Sequence, residues 1–430
     1  MQMEDMILMS VDDHICEPAD MFEKHISPKF KGREPRIVKS STGVEAWEIE
    51  GHVRPGMGLN AVMGRPKEEF GIEPYEYNHM RSGAYDVHAR IDDMNANGVF
   101  ASMNFASFPG FDGARFREMK DKDLALATVQ AYNDWHFYEW CQKYPDRFIP
   151  MGILPLWSID ETLKELKRLV KLGFTTVAFP DNPAMVNLPG LHNEQWEPLW
   201  GMCEADQVVL SCHIGTGARA AYASDESPIG AWITSMPISI ANSAADWTFA
   251  TFWERYPKLK MALSEGGIGW IPYFLERADM VQRQHGAWTH RDFHGQKPSD
   301  IFKKHIITCF IEDAHGLKSR DEIGVDMICW ECDYPHSDCA WPFSPEVLWD
   351  CIKDVPKADI DKMTHLNVMR EFRFDPFTTT KREDATVGAL RAKAKHVKTE
   401  PEPSMGGLKS PYDPSRPVTS ADVLKVLTAV

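Results

Sequence analysis

The sequence has little of what membrane, secreted and nucleic-acid-binding proteins require. None of its apolar runs approaches the roughly 20 residues that a membrane-spanning helix needs. No basic segment followed by an apolar one opens the chain, so we expect no signal peptide and a cytoplasmic location. The formal net charge of -16 disfavours binding to nucleic-acid phosphates or to an anionic membrane surface. We therefore expect neither as a partner.

The cysteines show no pairing pattern. The 9 cysteines are scattered, and most lie inside apolar segments, as reduced thiols of a cytoplasmic protein do. Cys329 and Cys332 form a Cys-x-x-Cys pair, but Cys329 lies within an apolar strand and no second pair follows. This spacing disfavours a zinc knuckle.

The regular feature of the chain is a series of short apolar strands that are mostly separated by helices. The 430 residues, with 43% hydrophobic residues and 14 tryptophans, are enough for a sizeable core. We predict strands at 7–11, 99–104, 148–154, 175–179, 207–213, 260–264, 306–309 and 326–330. Eight strands with helical crossovers predict an α/β fold, a (β/α)8 TIM barrel. A doubly wound open sheet is the alternative, but its Gly-x-Gly-x-x-Gly fingerprint is missing after the first strand.

Two segments interrupt or follow this alternation. Residues 28–80 read as an insertion after strand one that contains a β-hairpin, with strands near 36–38 and 46–49. From residue 378 onward, proline, glycine and mixed charges indicate an extended tail with a short helix at 420–428. We therefore divide the chain into a barrel unit, 1–377, which includes the insertion, and a C-terminal tail, 378–430.

Acids and histidines stand at several predicted strand ends, where the active site of such a barrel lies. Strand one ends in Asp12 and His14, which share one face because strand residues alternate sides, while Asp13 points away. Strand five ends in His213, strand six is followed by Glu265, and strand eight by Asp333. Asp12, His14, His213 and Asp333 form a mixed oxygen and nitrogen set that suits a divalent ion, zinc above all, or iron or manganese.

Each of these residues also has a simpler interpretation. His213 could be a core histidine bonded to the backbone. Glu265 could cap the helix that follows it, because a carboxylate is favoured at a helix N-terminus. Asp333 could start a turn. Their occurrence together on one rim favours the metal site.

The motifs that carry these residues resemble those of a known family. They are Asp12-x-His14-x-x-Glu17-Pro18, the run at 173–180, His213-Ile214-Gly215, the run at 265–272 and the run at 330–337. In combination they resemble the amidohydrolase-related family. This branch of the amidohydrolase superfamily includes aminocarboxymuconate semialdehyde decarboxylase and γ-resorcylate decarboxylase. The resemblance covers the chain from strand one to about residue 377. It implies a metal-dependent barrel, usually oligomeric, with one divalent ion at the strand ends.

Carried over by motif, Asp12 and His14 match the strand-one ligands, His213 the strand-five ligand and Asp333 the strand-eight acid. The decarboxylase relatives more often have histidine or glutamate in place of Asp12 and a catalytic histidine in place of Glu265. Glu265 could be a further ligand, part of a second ion site, or a general base.

We expect hydrolysis of an amide, ester, lactone or thioester in a small, apolar or aromatic carboxylic substrate. A metal-activated water would attack, with Asp333 accepting its proton and passing it to the leaving group. Glu265 would help to hold the water, and His336 would orient Asp333 or polarise the substrate carbonyl, although it could be a structural turn histidine. Arg219 is the candidate for gripping a substrate carboxylate.

Two alternatives stay open at this point. The same metal could serve a non-oxidative decarboxylase of an aromatic or dienoic acid, or the barrel could have lost catalysis and act as a binding protein. Product analysis separates the first alternative from hydrolysis, and metal binding tests the second. A homodimer or a higher homo-oligomer is the expected assembly.

Overall fold

The computed structural model of the protein describes residues 1–40, 43–54, 56–217, 223–403 and 411–428. The strands, in chain order, are β1 (Met9–Ile15), β2 (Arg36–Lys39), β3 (Glu45–Ile49), β4 (His52–Arg54), β5 (Ala101–Ala106), β6 (Phe148–Ile149), β7 (Met151–Gly152), β8 (Thr176–Ala178), β9 (Val209–His213), β10 (Met261–Ser264), β11 (Ile306–Phe310) and β12 (Ile328–Trp330).

The α-helices lie mostly between these strands. They are α1 (Met21–His25), α2 (Val87–Asn97), α3 (Ala114–Arg117), α4 (Lys122–Trp135), α5 (Ile159–Leu172), α6 (Glu197–Asp206), α7 (Ile229–Ser235), α8 (Ile240–Thr248), α9 (Ile271–Thr289), α10 (Pro298–His305), α11 (Ala314–Lys318), α12 (Arg320–Ile323), α13 (Ser344–Ile352), α14 (Lys357–Asp361), α15 (Asn367–Glu371), α16 (Val387–Lys393) and α17 (Ser420–Thr428).

The parallel strands follow one another in chain order. One sheet has the order β1-β5-β6 and a second the order β7-β8-β9-β10-β11-β12, all parallel. Pro150 separates β6 from β7, and because proline has no N–H to donate, the ladder is interrupted there. Counting β6 and β7 as one strand, eight parallel strands are present, and the predicted (β/α)8 fold is confirmed. The strands are buried along their whole length, as expected when helices cover the sheet.

The first and last strands meet without a regular ladder. Instead, the segment that follows β12 is bonded to β1. The backbone N–H of Cys332 donates to Ser10 Oγ (2.9 Å), that of Asp333 to the Asp12 carbonyl (2.8 Å), and that of His14 to the Tyr334 carbonyl (2.7 Å). This seam brings the end of β12 beside the acidic end of β1.

The insertion forms a small antiparallel sheet, β2-β3-β4, in which Arg36 is opposite Glu48. The predicted hairpin is confirmed, although residues 41–42 of its turn lie outside the described residues, and β4 was not predicted. The backbone N–H groups of Val62 and Met63 donate to the Pro335 carbonyl at 3.0 and 3.1 Å. The insertion therefore contacts the loop after β12, at the strand-end rim.

The C-terminal segment returns to the barrel at two places. Helix α16, which was not predicted, buries Val387, and its backbone N–H donates to the Met6 carbonyl (2.9 Å). Helix α17 begins and ends where the sequence pattern predicts, and Ser420 N–H donates to the Ser227 carbonyl (2.9 Å). The division at 377/378 stays a prediction. Within the described ranges, no helix combines the length and apolarity needed to cross a bilayer.

Candidate metal centre

Four predicted ligands converge at the C-terminal ends of the strands. Asp12 and His14 come from β1, His213 is the last residue of β9, and Asp333 follows β12; all four are buried. His14 Nε2 lies 3.1 Å from an oxygen of Asp333 and 3.4 Å from one of Asp12. The second Asp12 oxygen lies 3.5 Å from His213 Nε2. Residues that are more than 300 positions apart in the chain thus share one small volume.

Most of the polar atoms at this point have no hydrogen-bond partner. Both carboxylate oxygens of Asp12, Oδ2 of Asp333, Nε2 of His14 and Nε2 of His213 are buried and make no hydrogen bond. Leaving such atoms unpaired in a protein interior is costly. Their separations near 3 Å are those of neighbouring ligands around an ion with bonds of about 2.1 Å. The donor set therefore fits a divalent cation.

The hydrogen bonding of His213 supports this fit. Its Nδ1 lies 2.6 Å from the carbonyl oxygen of Ile214, an acceptor only, so Nδ1 carries the proton. The other nitrogen, Nε2, faces the carboxylates, so it is the atom that could bind an ion, the arrangement expected of a metal-bound imidazole. His213 is therefore both bonded to the backbone, through Nδ1, and available as a candidate ligand, through Nε2.

Glu265 and His336, the other predicted site residues, lie beside these four. Glu265 Oε2 is 3.0 Å from His213 Nε2, and its side chain keeps 13% of its surface exposed. His336 Nδ1 is 3.0 Å from Asp333 Oδ1, and its ring stacks on that of His14 with centroids 3.7 Å apart. Glu265 and Asp333 both have positive φ angles, of 58° and 59°, and such backbone strain in non-glycine residues concentrates at functional sites.

Glu265 does not cap the helix that follows it. The backbone N–H groups of Ile268 and Gly269, just before α9, donate to Asp313 Oδ2 at 2.8 and 2.6 Å. Asp313 therefore occupies the acceptor position at this helix start, which leaves the carboxylate of Glu265 directed at His213.

Burial and like charges dominate the electrostatics of the centre. Burial, together with the neighbouring acids Glu331 and Asp333, raises the pKa of Asp12 well above its usual value. Burial and the nearby His336 lower the pKa of His14 well below its own. Burial by itself lowers the pKa of His336, but the charge of Asp333 and the bond to it raise the net value. A cation among these groups would favour the carboxylates and the neutral imidazoles.

Glu331 is a buried acid to which the sequence interpretation gave no role. Its Oε2 accepts a hydrogen bond from the backbone N–H of Glu265 (3.1 Å) and one from the thiol of Cys309 (2.6 Å). Burial raises its pKa to about 8. The sequence offered a sign that Glu331 lies near the centre, because Glu331 and Asp333 are two residues apart, the same spacing that pairs Asp12 with His14.

Two further acids of the first motif stabilise the backbone rather than face the centre. Asp13 points away, as predicted, and its Oδ1 accepts from the Ser10 hydroxyl (3.0 Å) and the Tyr334 N–H (3.2 Å). Glu17 accepts from the N–H groups of Ser107 and Phe108 at 3.0 and 2.8 Å. These bonds fix the strand-one loop against the loops after β12 and β5.

A cleft of about 1150 Å³ lies at the same rim, lined by loops after β5, β7, β8 and β9. Phe111 separates it from the ligands, since its ring centroid is 4.1 Å from that of His213 and 4.8 Å from that of His14. Gly215 and Gly217, just after His213, also line the cleft. Arg219, the predicted carboxylate-binding residue, lies outside the described residues.

The structure is a (β/α)8 barrel with candidate metal ligands at its strand ends, and comparison with known families agrees with this fold. The profile of the family described as Amidohydrolase matches residues 84–374, more than half of the chain. The chain belongs to this family, and the resemblance inferred from the motifs is confirmed.

Several proteins to which the chain is similar are decarboxylases by name. The chain is 22% identical over 320 residues to 2-amino-3-carboxymuconate-6-semialdehyde decarboxylase of Dictyostelium discoideum, covering 72% of this chain and 83% of the relative. It is 23% identical over 336 residues to gamma-resorcylate decarboxylase of Rhizobium sp. (strain MTP-10005), covering 72% and 94%. Among solved structures, dihydroxybenzoic acid decarboxylase from Polaromonas sp. JS666, with bound manganese and the inhibitor 2-nitroresorcinol, matches with a TM-score of 0.58. That match has 18% identity and covers 87% of this chain and 98% of the other.

We predict that Glu331 holds the backbone at Glu265 in place. Glu331→Leu removes the acceptor of two hydrogen bonds and should lower the free energy of unfolding by about 1–3 kcal/mol. It should also weaken the binding of a divalent ion about 10-fold or more, as loss of a group that supports the ligands does. Denaturant titration and calorimetric metal titration measure the two effects.

Glu331→Gln is the matched control, because its amide oxygen can still accept both bonds. It should remain near the parent protein in stability and metal affinity. Equal losses in both variants would mean that the carboxylate, and not its hydrogen bonds, is what the site requires.

Proposed function

We propose that this protein is a metal-dependent, non-oxidative decarboxylase of an aromatic or dienoic carboxylic acid. One observation carries the proposal, namely the convergence of the buried side chains of Asp12, His14, His213 and Asp333 beside a large cleft. The decarboxylases to which the chain is similar support this reaction over the hydrolysis expected from the sequence alone. A complete donor set also argues against a non-catalytic binding barrel.

The residues present suit a single divalent ion. Two carboxylates and two imidazoles are acceptable ligands for manganese, zinc or iron. We propose manganese, because the related Polaromonas decarboxylase structure contains it. Asp12, His14, His213 and Asp333 would hold such an ion, which would supply Lewis-acid stabilisation of the negative charge on the substrate.

The protein's own groups would supply the proton that replaces the carboxylate. Asp333 Oδ1 lies 3.0 Å from His336 Nδ1, close enough for the two to share a proton. As the bond from ring carbon to carboxylate carbon breaks, the electron pair left on the ring carbon takes this proton, and CO₂ leaves. We assign Asp333 as the proton donor and His336 as the group that holds and reprotonates it.

Hydrolysis remains a second candidate, and Glu265 is the observation that favours it. Its carboxylate stands where the decarboxylases more often have a histidine, and it lies 3.0 Å from His213 Nε2. Glu265 could then orient a water molecule, while Asp333 accepts the proton of that water and passes it to the leaving group.

The expected cytoplasmic location and homodimer stay predictions. All 9 cysteines are free thiols, and all but Cys351 are buried, in keeping with a reducing compartment.

Product analysis separates the two reactions. With manganese-loaded protein and a panel of hydroxybenzoic acids, we expect one equivalent of CO₂ or bicarbonate per acid consumed, with a solvent proton on the former carboxyl carbon. Deuterated water read by NMR detects that proton. Turnover of ester or lactone substrates with ¹⁸O from solvent in the acid product, and no CO₂ from any acid, would instead support hydrolysis.

Asp333→Asn tests the proposed proton donor. The amide cannot deliver a proton, so turnover should fall by at least about 100-fold, the usual contribution of a positioned acid. The circular dichroism spectrum should stay unchanged. Asp350→Asn, at a side chain with 80% of its surface exposed, is the control and should retain full activity. Normal turnover in Asp333→Asn would remove Asp333 from the mechanism.

A further inference from the structure

The cleft beside the metal centre contains a cation that contacts an aromatic ring but forms no ion pair among the described residues. The guanidinium carbon of Arg115 lies 5.4 Å from the centroid of the Phe108 ring. Arg115, in α3, lines the cleft. Its Nη1 is buried and makes no hydrogen bond. Among the described residues, no carboxylate lies within ion-pair distance of its guanidinium.

The other cations of the cleft are already paired. Arg117 Nη1 lies 2.9 Å from Asp112 Oδ2. Lys122 Nζ donates to the carbonyl of Arg117 at 2.6 Å. Arg115 therefore differs from its two neighbours on the same wall.

The nearest acids are engaged elsewhere. Glu17 and Glu118 both act electrostatically on Arg115. Glu17 uses its two oxygens for the N–H groups of Ser107 and Phe108, and Glu118 lies 3.6 Å from Arg54. Neither satisfies the guanidinium.

A largely buried guanidinium without a counter-anion is costly, and the contact with the Phe108 ring offsets only part of that cost. Burial lowers the pKa of Arg115. Its planar fork matches a carboxylate or a phosphate, with which charge-assisted hydrogen bonds are short and strong. An anion in the cleft would recover this cost.

The cleft is large enough to hold a substrate that carries a second charged group. Its volume of about 1150 Å³ is at the upper end of the roughly 300–1,000 Å³ that ligand pockets occupy. Apolar side chains, Leu156, Trp157 and Leu188 among them, line the same cleft as Arg115. A substrate with a second group beyond its reacting carboxylate fits this space.

We propose that Arg115 binds a second anionic group of the substrate, a carboxylate or a phosphate-like group, at the end remote from the metal centre. The orientation of the substrate rests on the proposed function, whereas the anion site itself does not. Arg115 thereby selects doubly anionic acids over acids with one charge.

Binding measurements test this without turnover. Calorimetry on manganese-loaded protein compares benzoate with isophthalate and 3-phosphonobenzoate, and biphenyl-4-carboxylate with biphenyl-4,4′-dicarboxylate. The parent protein should bind at least one doubly anionic probe about 10-fold or more tightly than its singly charged match, as a buried charge-assisted pair provides. The isophthalate and phosphono arms distinguish a carboxylate from a phosphate-like group.

Arg115→Gln should remove this preference and leave the affinity for the singly charged probes unchanged. Arg115→Lys keeps the charge without the fork and should retain part of the preference, so it serves if the glutamine variant fails to fold. Arg117→Gln is the matched control on the same wall and should keep the full preference.

The proposal is overturned if the parent protein shows no preference in any pair, or if Arg117→Gln loses it as much as Arg115→Gln does. A preference that depends on Arg115 in a protein that releases no CO₂ would refute the proposed reaction and keep the anion site.

Discussion

The site depends on the seam between the first and last strands. Three hydrogen bonds join the segment 332–334 to β1, and they place the carboxylate of Asp333 against His14. A regular β-ladder does not join the two strands here, because Asp333 has a positive φ and turns the chain at that point. The same hydrogen bonds therefore join the last strand to the first and bring Asp333 to the other candidate ligands.

A buried second layer stabilises this seam. Arg90 donates to the carbonyls of Gly83 and His14, and its guanidinium carbon lies 4.4 Å from the centroid of the Tyr334 ring. Asp13 bonds to the Tyr334 N–H on the same side. The ligand atoms themselves lack such partners, so an ion that binds there would contribute to folding as well as to chemistry.

The barrel and the meeting of the candidate ligands at one rim were predictable because they follow local rules. Strand alternation pairs Asp12 with His14, and the strand-end rule brings His213 and Asp333 to the same rim. The cleft was not predictable in this way. Phe111 reaches the ligands only because the loop after β5 folds back over the rim, and no short-range pattern encodes that path. Arg115, on the same loop, likewise had no local signal.

The reaction was the less secure inference, since one fold and one donor set serve several chemistries. Glu265 in place of a histidine favoured hydrolysis when only the sequence was considered, whereas the relatives favour decarboxylation. Both readings require the same metal centre, so the centre is the central claim.

Elemental analysis by mass spectrometry, on protein purified without chelator and on its His213→Ala variant, tests that claim most directly. We predict close to one equivalent of manganese, zinc or iron per chain in the parent protein and a marked loss in the variant. Absence of any divalent metal from both proteins, even after incubation with manganese, would contradict the account.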